Sequence, residues 1–266
     1  MPLVAITRTP SRSLAQCELT HVARVPIDFE RALEQHAGYC AALRALGVDV
    51  ITLPALDDLP DATFVEDVAL VLDDVAWITR PGAESRRAEC VSIAAALAPY
   101  RPLEHMASPG TLDGGDVLRA GDVLYVGQST RTNHAALKAL AHGVLAHGLR
   151  VKAVEVRGAL HLKSACTLLG DDVLLAQREA LNLERVRGFE VLDIDPSEPG
   201  AANVLRIGEQ LLMPLEFPRT MERVERAGFE VTPVALSELL KAEAGVTCLS
   251  LVFDGDRVRS ARSNSS

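Results

Sequence analysis

The stretch DVALVLDDVAWIT, residues 67–79, decides the fold, because its two apolar strands and tight turn recur along the chain. The other copies are DVLRAGDVLYV (116–126), SACTLLGDDVLL (164–175), NVLRIGEQLLM (203–213) and CLSLVFDGDRV (248–258). Their turns lie 48, 49, 38 and 47 residues apart, near Asp73, Gly121, Gly170, Gly208 and Gly255. A period near 50 with several strands in each unit predicts radial repetition around an axis.

Between the hairpins lie segments with apolar residues at helical spacing, each followed by a short strand. The predicted helices span residues 28–47, 86–97, 133–146, 179–187 and 218–227. The unit is therefore strand, strand, helix, strand. The last hairpin has no helix after it, and the first helix has no complete hairpin before it. We predict an α/β fold, a five-bladed pseudo-symmetric α/β propeller that joining the N- and C-terminal parts closes without exposed sheet edges.

The chain of 266 residues is predicted to form one domain over residues 1–259, since a hairpin unit cannot bury its apolar face alone. The polar segment SARSNSS, residues 260–266, is expected to be disordered. Five cysteines without any CxxC pair argue against both a disulfide framework and a structural zinc site. We find no signal peptide or membrane helix in the sequence, and expect a soluble cytoplasmic protein.

The net charge of −9 speaks against nucleic acid as a partner, because nucleic acids are normally bound by basic surfaces. The same charge is compatible with a cationic ligand. It is equally compatible with a simple role in solubility.

The leading ends of the hairpins carry residue types that perform chemistry. They are Glu66, Asp67, Asp113, Asp116, His161 and Cys248. In a radial array these ends converge, and a thiol, an imidazole and carboxylates from separate blades favour an enzyme. Each has a structural alternative: the cysteine as a small buried hydrophobe, the histidine as a core imidazole, and Asp-Gly-Gly as a tight turn.

Several arginines precede predicted helices, namely Arg80, Arg86, Arg87 and Arg131. The planar guanidinium fork of arginine matches a carboxylate at two points, so one of them would suit a substrate carboxylate. Solvated helix ends are the alternative explanation.

Seven motifs resemble, in order, those of the dimethylarginine dimethylaminohydrolases, a family of the guanidino-group-modifying (pentein) superfamily of five-bladed α/β propellers. The motifs are FVEDVALV, ITRPGAESRR, LDGGDVL, RTN, LHLKS, AAN and GVTCLS. The resemblance covers about residues 3 to 253. Seven motifs in order are more specific than any one of them.

The resemblance implies roles for individual residues. Cys248 matches the family nucleophile, His161 its general acid and base, and Asp113 the carboxylate that orients the histidine. Some bacterial members have Glu at the last position, so the reach is one methylene shorter here. The implied substrate contacts are Asp61, Glu66 and Asp67 around the guanidinium, Arg86 and Arg131 at the amino-acid end, and Leu19 and Ala242 through main-chain atoms. Leu19 lies in a stretch that would act as a flap.

The implied reaction hydrolyses Nω-methylated arginine (asymmetric dimethylarginine or monomethylarginine) to citrulline and di- or monomethylamine through a thiouronium adduct on Cys248. No metal or organic cofactor is expected, although zinc at Cys248 and His161 would inhibit. One alternative is a deiminase or hydrolase of arginine or a related guanidine, although the extra helical insertion of arginine deiminases is missing. Another is a non-catalytic binder of cationic amino acids, which would need neither Cys248 nor His161. The expected partner is a small guanidino amino acid rather than nucleic acid or membrane, and a homodimer stays open.

Overall fold

The structure, a computed structural model, describes residues 2–256, and in this range fifteen strands form five three-stranded sheets. The strands are β1 (Leu3–Arg8), β2 (Asp49–Leu53), β3 (Ala69–Val71), β4 (Ala76–Ile78), β5 (Leu103–His105), β6 (Val117–Ala120), β7 (Val123–Gln128), β8 (Arg150–Glu155), β9 (Cys166–Leu168), β10 (Val173–Ala176), β11 (Glu190–Asp193), β12 (Leu205–Ile207), β13 (Gln210–Pro214), β14 (Glu230–Val234) and β15 (Leu251–Asp254). The sheets are β3-β4-β5, β6-β7-β8, β9-β10-β11, β12-β13-β14 and β15-β1-β2.

All five sheets share one topology. The first and second strands pair antiparallel, as in β6 and β7 with Val117 opposite Val126, and the third strand joins the second in parallel. A tight turn can connect the antiparallel pair, whereas the parallel pair needs a crossover. The predicted α/β propeller fold class is confirmed.

Four helices lie in crossovers between the second and third strands of a blade, and two helices of four residues each lie outside the crossovers. They are α1 (Phe29–Ala45), α2 (Cys90–Leu97), α3 (His134–Gly143), α4 (Leu162–Ala165), α5 (Pro218–Arg226) and α6 (Ser237–Leu240). The predicted cap of α1 is present, because the Asp28 carboxylate accepts a hydrogen bond from the Arg31 amide at 3.1 Å. The helix ends ahead of Gly47, whose φ of 81° is the left-handed conformation that terminates helices.

The helix predicted over residues 179–187 is wrong. The segment contains two separate 3-10 turns, Arg178–Ala180 and Leu183–Arg185. Between them Leu181 has extended backbone and forms a β-bridge with Val156, which breaks the run of helical residues. The crossover between Ala176 and Glu190 is also shorter than those of the first two blades, which contributes to the third repeat spacing of 38 residues.

The fifth sheet unites the two ends of the chain. β15 pairs antiparallel with β1, so that Leu3 lies opposite Asp254, and β1 then pairs in parallel with β2. The predicted joining of N- and C-terminal parts is thus confirmed. Residues 257 and 258 of the hairpin predicted over residues 248–258 lie outside the described residues, and the described partner of β15 is β1.

The sheets surround an axial cavity of about 910 Å³. Every first strand contributes apolar residues to its wall, among them Leu70, Leu118, Leu168, Leu205 and Val252. The crossover helices cover the outer faces of the sheets, as where Leu137 and Leu140 of α3 pack in one buried cluster with Leu124 and Val126 of β7.

Short turns precede the first strands and place the functional side chains. They are the 3-10 turns Val65–Val68, Gly114–Asp116 and Thr247–Leu249, and the single-turn helix α4. No helix within residues 2–256 has both the length and the apolar character that a bilayer crossing requires. The tail expected to be disordered, residues 260–266, lies outside the described residues.

Candidate active site

The turns at the heads of separate blades bring an imidazole and two carboxylates into contact. His161 Nε2 lies 3.1 Å from Asp113 Oδ2, and His161 Nδ1 lies 3.7 Å from Asp67 Oδ1. The two acids and the histidine are at most 3% exposed. The remaining catalytic residue predicted from the sequence, Cys248, is 7% exposed and borders the same small cavity as His161.

That small cavity has a volume of about 20 Å³, enough for about one water molecule. Seven of the ten sequence-predicted site residues line it: Asp61, Asp67, Arg86, Arg131, His161, Ala242 and Cys248. Asp113 lies behind His161 and is fully buried. The other two predicted residues, Glu66 and Leu19, lie elsewhere.

The two glycines of LDGGD allow this close approach. A Cβ atom on Gly115 would lie 2.6 Å from His161 Nδ1 and 2.8 Å from Asp67 Oδ1, and one on Gly114 would lie 2.0 Å from the Glu66 carbonyl oxygen. The Gly115 amide also donates to Asp67 Oδ1 at 3.1 Å. Neither glycine has a positive φ, so packing of the turns, rather than turn conformation, requires them.

The carboxylates determine the charge of His161. Burial by itself lowers the pKa of this imidazole, but Asp67, the hydrogen-bonded Asp113 and Asp116 outweigh it and raise the pKa to about 9. Burial by itself raises the pKa of Asp67, but the His161 and Arg86 cations outweigh this effect and lower the pKa to about 2. At neutral pH the pair is therefore an imidazolium beside a carboxylate.

Cys248 is held as a neutral thiol in the unliganded site. Burial raises the pKa of this thiol well above its ordinary range, and the negative charges of Glu66 and Asp67 raise it further. The Gly245 amide donates a hydrogen bond to Sγ at 3.3 Å, which favours the thiolate only weakly. A thiolate nucleophile at this position thus requires an additional cation.

Arg86 is buried among acceptors of the protein. Its Nε and Nη2 atoms bind the two oxygens of Glu89 at 3.1 and 2.9 Å, and its Nη1 atom binds Asp67 Oδ2 at 2.5 Å. Nη2 also donates to the carbonyl oxygens of Asp61 and Phe64. Sequence reasoning missed Glu89, for which the only signal was its position three residues after Arg86.

Glu66 faces the axial cavity rather than the small one. Its Oε1 atom binds Lys163 Nζ at 2.6 Å, and its Oε2 atom accepts from Thr247 Oγ1 at 2.7 Å. Neighbouring residues of the turns therefore face opposite cavities. Glu66, Lys163 and Thr247 line the axial cavity, while Asp67, His161 and Cys248 line the small one.

Residues 17–28, here called the N-terminal loop, contain no helix or strand and lie over the small cavity. The Glu18 amide donates to both Asp61 oxygens, at 3.2 and 3.1 Å. Glu243, which has a φ of 57°, accepts from the amides of residues 20, 21 and 22 at 2.5, 2.6 and 3.1 Å. Leu19 itself packs against the buried cluster around α1.

Arg131, like Asp61, is a sequence-predicted residue that contacts this loop directly, with Nη2 donating to Thr20 Oγ1 at 3.0 Å. In the described residues, three potential metal-ligand groups, Asp67, Asp113 and His161, have ligand atoms within 4.8 Å of one another. Cys248 does not belong to this group, and inhibitory zinc at Cys248 and His161 stays a prediction.

Comparison with known proteins identifies similar chains. A family model described as "N,N dimethylarginine dimethylhydrolase, eukaryotic" matches residues 23–195. The N(G),N(G)-dimethylarginine dimethylaminohydrolase of Pseudomonas aeruginosa is 38% identical over 251 residues, which are 93% of this chain and 98% of the relative. The protein of the same name from Streptomyces coelicolor is 42% identical over 248 residues, covering 93% and 95%.

Solved structures are similar in the same way. The Pseudomonas aeruginosa enzyme, solved as a cysteine-to-serine mutant complexed with citrulline, aligns with a TM-score of 0.89 at 37% identity over 94% of this chain and 98% of its own. The N-terminal domain of the arginine dihydrolase ArgZ from cyanobacteria aligns with a TM-score of 0.86 at 19% identity, covering 96% of this chain and 99% of its own, a likeness of fold.

Proposed function

Because the chain belongs to the dimethylarginine dimethylaminohydrolase family of the pentein superfamily, we propose that it hydrolyses Nω-methylated arginine to citrulline and a methylamine. The observation that carries this proposal is the convergence of Cys248 and His161, from separate blades, on one small cavity that Asp67 also lines. In this proposal Cys248 is the nucleophile, His161 is the general acid and base, and Asp113 orients the imidazole.

The first step uses the charge of the substrate. A guanidinium stays protonated at ordinary pH, and the buried carboxylates of Asp61 and Asp67 offer it counter-charges. The bound cation stabilises the Cys248 thiolate, whose pKa is otherwise raised by burial. The thiol proton passes to solvent as the thiolate forms. The sulfur then forms a bond to the central guanidinium carbon, and one carbon–nitrogen double bond becomes single.

The second step is departure of the amine. An amide anion cannot leave unprotonated, so the His161 imidazolium transfers its proton to the departing nitrogen as the carbon–nitrogen bond breaks. The product is a thiouronium adduct on Cys248 together with dimethylamine or monomethylamine. The raised pKa of His161, about 9, supplies the protonated form at neutral pH.

The third step regenerates the enzyme. His161, now neutral, accepts a proton from water, and the resulting hydroxide adds to the adduct carbon. The carbon–sulfur bond breaks as the citrulline carbonyl forms, and the hydroxyl proton of the adduct passes to the departing Cys248 sulfur. His161 keeps the proton that it took from water. One histidine thus acts first as acid and then as base, while Asp113 holds its Nε2 side.

Recognition of the amino-acid end is proposed for the residues at the cavity mouth. Arg131 offers a guanidinium to the substrate carboxylate, and Arg86 has one Nη1 hydrogen beyond its bond to Asp67. Main-chain atoms of Leu19 and Ala242 are proposed to bind the amino group. Glu66 is proposed to act on the guanidinium through its charge, since both of its oxygens are engaged by Lys163 and Thr247.

The test is to incubate the protein with asymmetric dimethylarginine and to measure citrulline and dimethylamine together. Equal amounts of the two products are expected, with little ammonia from arginine under the same conditions. Faster ammonia release from arginine would favour a deiminase, and binding without either product would favour a non-catalytic binder.

We also propose that the protein acts in the cytoplasm. All five cysteines are free thiols, which suits a reducing compartment.

A further inference from the structure

A second buried acid lies behind the small cavity. Glu89, at the end of the 3-10 turn Glu84–Glu89, is 1% exposed and does not line the cavity. Its carboxylate binds the Arg86 guanidinium through two atoms, Nε at 3.1 Å and Nη2 at 2.9 Å. A two-point contact of this kind fixes the plane of the guanidinium as well as its position.

The opposite edge of the same guanidinium holds Asp67. Nη1 donates to Asp67 Oδ2 at 2.5 Å, and Nη2 is further fixed by the carbonyl oxygens of Asp61 and Phe64. The other Asp67 oxygen faces His161 Nδ1 and accepts from the Gly115 amide. Glu89, Arg86, Asp67 and His161 therefore form one continuous buried chain of alternating charge.

Burying these charges costs free energy, so we expect them to serve a purpose other than stability. Replacing buried ion pairs by apolar groups is often neutral or stabilising, so such a pair is weak evidence for a stabilising role. Burial raises the pKa of Glu89 to about 7, and its charged neighbours include Arg86, Arg8, Asp61 and Asp67. The Arg86 cation opposes that rise, so we take the two-point contact as the ionised form above neutral pH.

We propose that Glu89 is a positioning residue for the hydrolysis. By binding Arg86, it fixes the position of the Asp67 carboxylate and limits how far Arg86 neutralises its charge beside His161 and the substrate guanidinium. This inference rests on the proposed function. Without the charge of Glu89, Arg86 has only one carboxylate partner and neutralises Asp67 more fully. The cavity then attracts a cation less strongly, whether that cation is the imidazolium or the substrate.

The neighbouring pair supplies a matched control. Arg87 and Glu84 lie in the same 3-10 turn with the same three-residue spacing, and Arg87 Nη1 contacts Glu84 Oε1 at 3.0 Å. The Glu84 side chain is 88% exposed, and this pair does not touch Asp67. Glu84→Gln therefore removes one charge from the same turn without altering the buried chain.

The experiment compares wild type, Glu89→Gln, Glu89→Asp and Glu84→Gln at pH 8, where Glu89 is ionised. Glu89→Gln is expected to raise KM for asymmetric dimethylarginine about tenfold, because the cavity attracts the substrate cation less strongly. The fall in kcat should be smaller. Glu89→Asp keeps the charge but shortens the reach, and its KM should rise less. Glu84→Gln should match wild type.

A second readout needs no turnover. Nitrogen NMR of histidine in the unliganded protein should show a lower pKa for His161 in Glu89→Gln, a smaller fall in Glu89→Asp, and no change in Glu84→Gln. The other acids that face this imidazole, Asp67, Asp113 and Asp116, are unaltered in all four proteins.

Wild-type KM and a wild-type His161 pKa in folded Glu89→Gln would overturn the inference. If Glu89→Gln does not fold, the same wild-type values in Glu89→Asp would overturn it. If wild type releases no methylamine, the proposed function fails, whereas the NMR comparison still tests the link from Glu89 to His161.

Discussion

The small cavity has two walls of different construction. The first, the turn wall, consists of Asp67, His161 and Cys248 with Asp113 behind them, and all four are at most 7% exposed. The second, the loop wall, consists of the N-terminal loop, Arg131 and Glu243, which are mostly exposed or half-buried. The turn wall is fixed by short turns at the heads of sheets, while carboxylate-to-amide hydrogen bonds hold the loop wall in place.

This difference separates chemistry from access. A cavity of about 20 Å³ holds about one water molecule, so an arginine-sized substrate requires a wall to move. The turn wall is tied into four blades, whereas the loop wall depends on a few hydrogen bonds at the surface. Changes to the turn wall should therefore alter the reaction itself, and changes to the loop wall should alter how the site opens.

The largest effect is expected for Cys248→Ser. Turnover of asymmetric dimethylarginine should fall by roughly 10⁴-fold or more, because the thiolate that forms the adduct is lost. Citrulline binding, measured by calorimetry, should persist because the loop wall is unchanged. Normal turnover in this variant would remove Cys248 from the proposed role.

His161→Ala should lower turnover by roughly 10³-fold, because protonation of the leaving amine is lost. The measurement is the first turnover with two substrates, asymmetric dimethylarginine and S-methyl-L-thiocitrulline. A thiolate leaves without a proton, so release of methanethiol from the second substrate should suffer much less. Equal losses for both substrates would contradict the role of His161 as acid.

Asp113→Asn should lower turnover by roughly 100-fold, within the range expected for weakened acid–base catalysis. Because Asp113 raises the pKa of His161, this pKa should fall below its value of about 9 in the unliganded variant. Histidine NMR over a pH series measures it. An unchanged His161 pKa would show that the 3.1 Å contact does not set the charge of the imidazole.

Glu243→Gln tests the loop wall. The amides of residues 20–22 lose a charged acceptor, so their hydrogen exchange should accelerate about tenfold, while kcat changes only a few-fold. Glu216→Gln is the matched control, because Glu216 accepts from the Leu236 amide and lines neither cavity. Unchanged exchange at residues 20–22 would show that Glu243 does not hold the loop.

The change expected to affect turnover least concerns stability. The folded pKa of His161, about 9, exceeds its unfolded value of 6.5, so the imidazolium stabilises the fold below pH 6.5 and this stabilisation is lost as pH rises to 9. The free energy of unfolding should fall over this window by up to about 3 kcal/mol. Urea unfolding of wild type and His161→Gln measures the difference, and equal pH slopes would contradict it.

The sequence predicted the blades and the position of the turn-wall residues at their heads, because both follow local patterns, while the catalytic roles of those residues stay predictions. Apolar residues and tight turns specify a hairpin within about a dozen residues, and Cys248 and His161 each stand just before the first strand of a blade. The prediction of a helix over residues 179–187 was wrong because Leu181 forms a β-bridge with Val156, which lies outside the segment and does not show in its helical spacing.

Sequence reasoning did not find the residues that hold the loop wall or the buried partners of the site residues. Glu243 contacts residues more than 220 positions away, and the pairing of Glu66 with Lys163 spans 97 positions. The same limit applies to the two cavities. A motif does not tell which of two adjacent side chains, such as Glu66 and Asp67, faces which side.

The alternation of side chains at the blade heads limits where the chain can change in length. Adding or deleting one residue between Asp67 or Cys248 and the strand that follows would rotate that side chain by about a third of a turn, away from the small cavity, and we expect the sheets still to form. We therefore expect changes in length to be tolerated in the outer crossovers, where the third blade already lacks a helix. At the heads of the blades, the same changes should abolish turnover.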